Sequence, residues 1–530
     1  MEKYPIKLNN SPQLFVDDYL IEDMSSLGKS LHTVEKHKAN PLLIPEFPFE
    51  KKYKYHYIVD NGTVIYDDRA NIFRAYFSQA QKNTLYAESQ DGIKWEKPFI
   101  NKYTYAGSKK NNILLEDIYC CSVMYDPGNE GKPPFRMYAL KRGVGPFVLW
   151  SENGIDWKGE PASCDKTGRG DNACCVYDPF TKTNILISKV RYPIGKIVIN
   201  PLMDNVWEIP VRVLGCRTCN REMNKWSAWR EILRPDERDH KIAEERYPAI
   251  SVEGFLYPWR MRAEFEGAHA LAEKTGFLER LAVPPQKGFQ HCQYMNMIVI
   301  PYDNLYIGLL EVLYATAQVF DFGAKGSPRC DSPGQDGVID VQFVCSRDLK
   351  KWEKPVAEKS FIPLGGTAEW DRSMIMPFSS NNIIRDGKQY LYYGGSFHSH
   401  RPYSMWNKPG NYPEEMQGLG LAVIRQDGFI SIDAAAEEGI LTTKLLSFAG
   451  EKFSINADAR SGYIDMEILD ENRTVIKGYE RKRFKTIFAD KVRHCVEWKG
   501  KNGIVELQRR PVHLRFYMKN AMLYTFTVEK

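Results

Sequence analysis

The chain has 530 residues, 43% hydrophobic and 26% charged, an ordinary globular balance with room for two to four domains. Its 72 Lys and Arg against 67 Asp and Glu give a formal charge of +5 without any basic block, which argues against a nucleic-acid or membrane partner. No apolar run nears the roughly 20 residues that span a bilayer, and the start carries no signal-peptide pattern, so a cytoplasmic location is expected. The 11 Cys, with adjacent pairs at 120–121 and 174–175, read as small buried hydrophobes rather than a disulfide frame. The spacing of "CRTC" at 216–219 suits a metal, but no second such pair stands near it, so no metal or cofactor is expected.

In chain order, "HYIVDNGTVIYDDRANIFRAYFSQAQKNTLYAES" (56–89) predicts three strands, the first turn at Asp67-Asp68, and closes in "SQDGIKWEKP". A second unit starts at "IYCCSVMYDPG", turns at Asp126-Pro127 and closes in "SENGIDWKGE". A third starts at "DNACCVYDPF", turns at Asp178-Pro179 and closes weakly at Trp226; a fourth runs from "CQYMNMIVIPYDNLYIGLL" to "SRDLKKWEKP". The fifth is "RSMIMPFSSNNIIRDGKQYLYYGGS" followed by "GLGLAVIRQDGFISI". Each unit holds about four short β-branched or aromatic segments parted by turn residues, so residues 1–439 are expected to form a five-bladed β-propeller. The insert at 236–288 contains "MRAEFEGAHALAEKTGFLERL", with Leu271, Phe277, Leu278 and Leu281 on one helical face, a candidate lid. Alternating short strands from 440 to 530 predict a β-sandwich, making the chain all-β.

The serine, turn and tryptophan repeated at 89–95, 151–157 and 346–352 predict side chains that bond a tight turn and a Trp that packs between blades. The repeat resembles the Asp-box of sialidase propellers but is one residue shorter.

In a propeller the innermost strand of each blade lines the axis, so acids at the starts of those strands converge from distant parts of the chain. Those acids are Asp60, Asp117, Asp171 and Glu369; Asp67, Asp126 and Asp178 fall at the far turns and are excluded. Two or three carboxylates around one pocket suit glycoside hydrolysis, one protonating the leaving oxygen and another attacking or activating water. Asp60 is expected as base or nucleophile, Asp117 as orienting group, and Asp171 or Glu369 as general acid. Arg191, Arg217, His291, Trp370, Asp371, His398 and His400 are expected to bind substrate, the arginines being suited to an acidic sugar.

The stretches "LFVDDYLIED", "NPLLIPEFPFE", "SQDGIKWEKP", "LYYGGSFHSH", "GLGLAVIRQDGFISIDA" and "VHLRFYMKNAMLYTF" resemble proteins described as glycosyl hydrolase family 32 N-terminal-like. These belong to the five-bladed propeller superfamily that includes glycoside hydrolase families 32, 43, 68 and 130. The resemblance implies a propeller with a trailing sandwich and two Asp and one Glu on inner strands. The family 32 motifs W-M-N-D-P-N-G, R-D-P and E-C are absent, so the fold carries over better than the mechanism. The expected activity is a glycosidase working on the end of an oligosaccharide or polysaccharide. The alternatives are a propeller phosphorylase or lyase and a non-catalytic carbohydrate-binding propeller.

Overall fold

The computed structural model describes residues 5–51, 57–79, 82–129, 131–141, 143–161, 173–200, 205–247, 280–283, 291–321, 334–356, 359–400 and 416–530. Five antiparallel blades follow one another. Blade 1 orders Tyr57–Asp67, Ile72–Gln79, Asn83–Ser89 and Ile113–Leu115 from the axis outward. Blade 2 orders Tyr119–Tyr125, Phe135–Lys141, Gly145–Ser151 and Lys158–Pro161, and blade 3 orders Ala173–Asp178, Thr183–Asn200, Asn205–Asn220 and Arg230–Leu233. Blade 4 comprises Cys292–Tyr302, Leu305–Asp321, Gly334–Ser346 and Trp352–Glu353. Blade 5 takes Met374–Pro377, Lys388–Ser396 and Gln417–Arg425 from its own stretch, and its outermost strand, Glu35–Lys36, from the start of the chain. A short helix, α1, Pro48–Lys51, leads the chain into blade 1.

The pairing of Glu35–Lys36 closes the ring. Lys36 stands opposite Ala422, and its ammonium reaches the buried Asp371 carboxylate at 2.7 Å, just before the inner strand of the same blade. Tyr393 donates to the same carboxylate oxygen at 2.8 Å, and the Asn40 amide donates to the Tyr393 hydroxyl at 3.2 Å. At the axis small hydroxyl side chains tie neighbouring inner strands. Thr63 meets Ser379 at 2.6 Å, the Val123 amide donates to Thr63 at 2.9 Å, and the Cys175 amide donates to Ser122 at 2.9 Å.

The closing repeats work as the sequence predicts. Ser89 and Ser151 each accept the amide of the glycine three residues on, and Asp91 and Asn153 cap the two amides that follow. Trp95 and Trp157 then donate back to Gly92 and Gly154. Each indole meets a tyrosine of the preceding blade edge-on: Trp95 with Tyr392 and Trp157 with Tyr76, both at 5.9 Å. A Cβ on Gly92 or Gly154 would lie 2.5 or 2.6 Å from that tyrosine's hydroxyl, and both glycines have positive φ, so no other residue fits without strain. The third copy puts Leu349 at the glycine position with φ 59°.

The second body is a β-sandwich, but it does not begin at 440. Ile6–Lys7 and Ile21–Ser25 join one sheet with Gly439–Thr443, Leu446–Ser447, Tyr463–Asp470 and Val512–Lys519. Gln13–Leu14, Leu27–Leu31 and Ile430–Ala434 join the other, with Lys452–Asp458, Asp490–Cys495 and Ala521–Glu529. The first 31 residues and Ile430–Ala434, read from sequence as propeller, therefore reach the sandwich core through Phe15 and Leu20, which adjoin the strands, and Ile432. Their alternation shows a buried face but not which partner it meets. Two ion-pair sites join the bodies: Arg347 forks onto Asp17 at 2.8 Å through both nitrogens, and Arg425 reaches Asp490 at 2.5 Å.

The insert also differs from expectation. Its described helix, α2, is Glu237–Arg246, started by a reciprocal cap between Asp236 and Asp239. Leu281, assigned to a helical face, lies in the strand Arg280–Val283 and pairs with Phe320; Leu271, Phe277 and Leu278 lie outside the described residues.

Lys36→Met leaves Asp371 buried without its cation and is expected to lower the unfolding free energy in urea by about 3 kcal/mol, most of it regained in Lys36→Met/Asp371→Asn. For Asp17, burial works to raise the carboxyl, but the Arg347 hydrogen bonds and charge outweigh it and hold the group below its ordinary value. A lowered folded value stabilises above the ordinary value, and the gain disappears as pH falls through the lowered one. Stability of the wild type and of Arg347→Met should therefore differ at neutral pH, begin to approach each other only below about pH 4, and converge below the lowered value.

Candidate functional site

The inner strands all begin at one end of the axis, and two β-ribbons rise past that end. In blade 3 the inner strand pairs only as far as Ala173 with Ser188, while the next two strands stay paired up to Asn200 with Asn205. In blade 4 the inner strand stops at Cys292 opposite Tyr314, and its neighbours pair on to Val319 with Gly334. At the bases of these ribbons side chains of a kind rarely buried are shielded from water: Lys189, Arg212, Gln293, Asn296, Glu311 and Asp336.

Glu311 is the acid that sequence reading missed. It is 1% exposed, pairs with Asn296 of the inner strand, and is the one charged residue of the apolar segment "LYIGLLEVLYA". A charge at that place in a strand too apolar to face water was the available signal. Burial pushes the Cys174 thiol, on the inner strand of blade 3, up to about 12, and the Glu311 carboxylate adds to that rise. The carboxylate of blade 4 is thus felt by the inner strand of blade 3. A bulge at Met295 puts Tyr294 opposite Val312 and Asn296 opposite Glu311. Arg212 Nη1 donates to Gln293 Oε1 at 2.7 Å, fixing that amide and linking the blade 3 ribbon to blade 4.

The acids expected from the sequence are placed differently from one another. Asp60 lies on the inner strand of blade 1, before Gly62, where the strand makes a large bulge. Asp171 lies outside the described residues. Asp117 has a positive φ of 56°, is 58% exposed and stands 3.7 Å from Lys82, so it sits on the surface beside a blade 1 turn rather than in a pocket. Glu369 is exposed and accepts the Gly366 amide at 2.8 Å. A Cβ on Gly365 would lie 2.2 Å from Asp371 and 2.6 Å from Glu369, so these two carboxylates are neighbours, unlike Asp117.

Several expected binding residues have structural partners instead. Asp371 is held by Lys36 and Tyr393, and Trp370 stacks on Tyr393 with ring centroids 5.8 Å apart. Arg217 is buried between the indoles of Trp226 and Trp229, 4.9 and 5.3 Å from their centroids, on the third strand out from the axis. Arg191 stands opposite Arg212 in the blade 3 ribbon. The His291 carbonyl accepts the Ala315 amide, His398 is buried, and the His400 amide donates to the Gly337 carbonyl at 3.0 Å. His291 immediately precedes the inner strand of blade 4, and His398 and His400 follow the second strand of blade 5. Among the described residues no three His, Cys, Asp or Glu side chains gather as a metal ion would require, and no helix is long and apolar enough to cross a membrane.

No family model matches the chain, and no curated protein matches it in sequence. Solved structures similar to it include a thermostable family-43 glycoside hydrolase, 12% identical, covering 71% of this chain and 92% of that one with a TM-score of 0.38. Another is the catalytic domain of the Coprinopsis cinerea GH62 α-L-arabinofuranosidase, 11% identical, covering 74% and 97% with a TM-score of 0.38. A third is a family 43 arabinoxylan arabinofuranohydrolase from Bacillus subtilis in complex with cellotetraose, 10% identical, covering 93% and 97% with a TM-score of 0.34.

Arg217→Met removes both cation–indole interactions and should cost about 1–2 kcal/mol of stability, read by urea titration, while leaving saccharide affinity by calorimetry unchanged.

Proposed function

We propose that the chain is a glycoside hydrolase that takes the end of an oligosaccharide or polysaccharide at the mouth of the propeller. One observation carries this reading: the almost wholly buried Glu311 carboxylate, paired with Asn296 near the start of the blade 4 inner strand, where Arg212 holds Gln293. A buried carboxyl is suited to donate a proton to a departing glycosidic oxygen, and amide and cationic groups around it are suited to hold sugar hydroxyls. In this reading Glu311 is the general acid, Asp60 at the start of the blade 1 strand is the base or nucleophile, and Asp171 supports it. The exposed Asp117 and Glu369 have no part in the chemistry.

A phosphorylase is the second reading, favoured by the two buried cations Lys189 and Arg212 at the base of the blade 3 ribbon. Turnover that needs phosphate would select it, and saccharide binding without product would select a binding protein.

The test is a panel of nitrophenyl glycosides and plant-wall oligosaccharides, with and without phosphate. On the best substrate Glu311→Gln should lower kcat by about 10²–10⁴-fold, while Asp117→Asn and Glu369→Gln stay within about threefold of the wild type. Full turnover by Glu311→Gln would remove Glu311 from the mechanism.

A further inference from the structure

Two of the closing repeats end in Trp-Glu-Lys-Pro, at 95–98 and 352–355, and the fold uses both lysines alike. Lys97 lies 2.8 Å from Glu50 of α1 and donates to the Ile44 carbonyl at 2.6 Å; α1 precedes the inner strand of blade 1. Lys354 lies 2.5 Å from Asp239 and 3.5 Å from Asp236, at the start of α2, which precedes the inner strand of blade 4. In both blades the segment leaving the outer edge grips a short helix that lies earlier in the chain than that blade's inner strand. The blades so gripped are those whose strands carry Asp60 and Glu311.

In blade 4 the grip extends to the inner strand itself. Tyr294 donates to Asp239 at 2.7 Å, and its hydroxyl is 3.2 Å from the Lys354 ammonium. Tyr294 is wholly buried and immediately precedes the bulge at Met295. Because side chains alternate along a strand, the place of that bulge decides which way Asn296 presents itself and which inner-strand residue stands opposite Glu311. We propose that Lys354 is a positioning residue: through Asp239 and Tyr294 it fixes the bulge of the blade 4 inner strand and thereby places Asn296 opposite Glu311. It touches no substrate. The functional half of this inference rests on the assignment of Glu311; the structural half does not.

The test compares Lys354→Met, Lys354→Arg and a control, Lys351→Met, in the full chain. Lys354 is 16% exposed, whereas Lys351 of the same turn is 83% exposed and pairs with Glu353 at the surface. Lys354→Met should lower kcat per folded molecule by about 10–100-fold with KM within about threefold, as expected when a catalytic group is misplaced while substrate binding stays intact. Amide hydrogen exchange should speed up at Tyr294–Asn296 and stay unchanged at Val123 and Cys175. Lys354→Arg should restore both readouts, and Lys351→Met should alter neither. If Lys354→Met lowers only thermal stability, with exchange at Tyr294–Asn296 and kcat unchanged, the positioning role is overturned. If exchange responds but the wild type cleaves no glycoside, the bulge is set by Lys354 and the glycosidase reading is what fails.

Discussion

A ring of blades has one seam, and everything at its axis depends on that seam staying shut. Here the start of the chain closes it: Glu35 and Lys36 form the outer strand of blade 5, far in sequence from the three strands they complete, and His37, Leu42 and Leu43 add backbone bonds to Leu421 and Leu419. The backbone pairing alone is short. Its hold is reinforced by the Lys36–Asp371 ion pair, which joins the outermost strand of the blade to the lead-in of its innermost strand. A buried carboxylate deprived of its cation is costly, so the contact selects for a closed ring as well as stabilising it. The hydroxyl bridges of Thr63, Ser122 and Ser379 depend on that closure, since each joins strands from different blades.

The same geometry explains which parts of the molecule could be read in the sequence. The five blades were legible because each carries its own turns, and because the serine, turn and tryptophan repeat is a local hydrogen-bond device. The ring closure and the sandwich strands from the first 31 residues were not. Both are pairings between segments hundreds of residues apart, and strand alternation shows a buried face without naming the partner it meets. Asp371 shows the cost of that gap. An acid beside a tryptophan at the start of an inner strand reads as a sugar-binding pair, yet its partner is a lysine from the other end of the chain.

The candidate site was legible only in outline. Of the acids at strand starts, Asp60 lies on an inner strand, but Asp117 turns outward on a left-handed residue beside Lys82. Glu311 escaped notice because it sits in the middle of the second strand of its blade rather than at the start of the first. A bulge and a register, neither written in composition, bring it beside the inner strands. Lys189 and Arg212 share its burial but not its isolation, since each lies in a strand with two other charged residues.

The most direct measurement is a crystal structure of the Glu311→Gln protein soaked with an intact oligosaccharide that the wild type cleaves. The account predicts a sugar at the axis, between the ribbons of blades 3 and 4, with its glycosidic oxygen within hydrogen-bonding distance of residue 311. A sugar bound on the outer rim or on the sandwich, with residue 311 still sealed from it, would contradict the account.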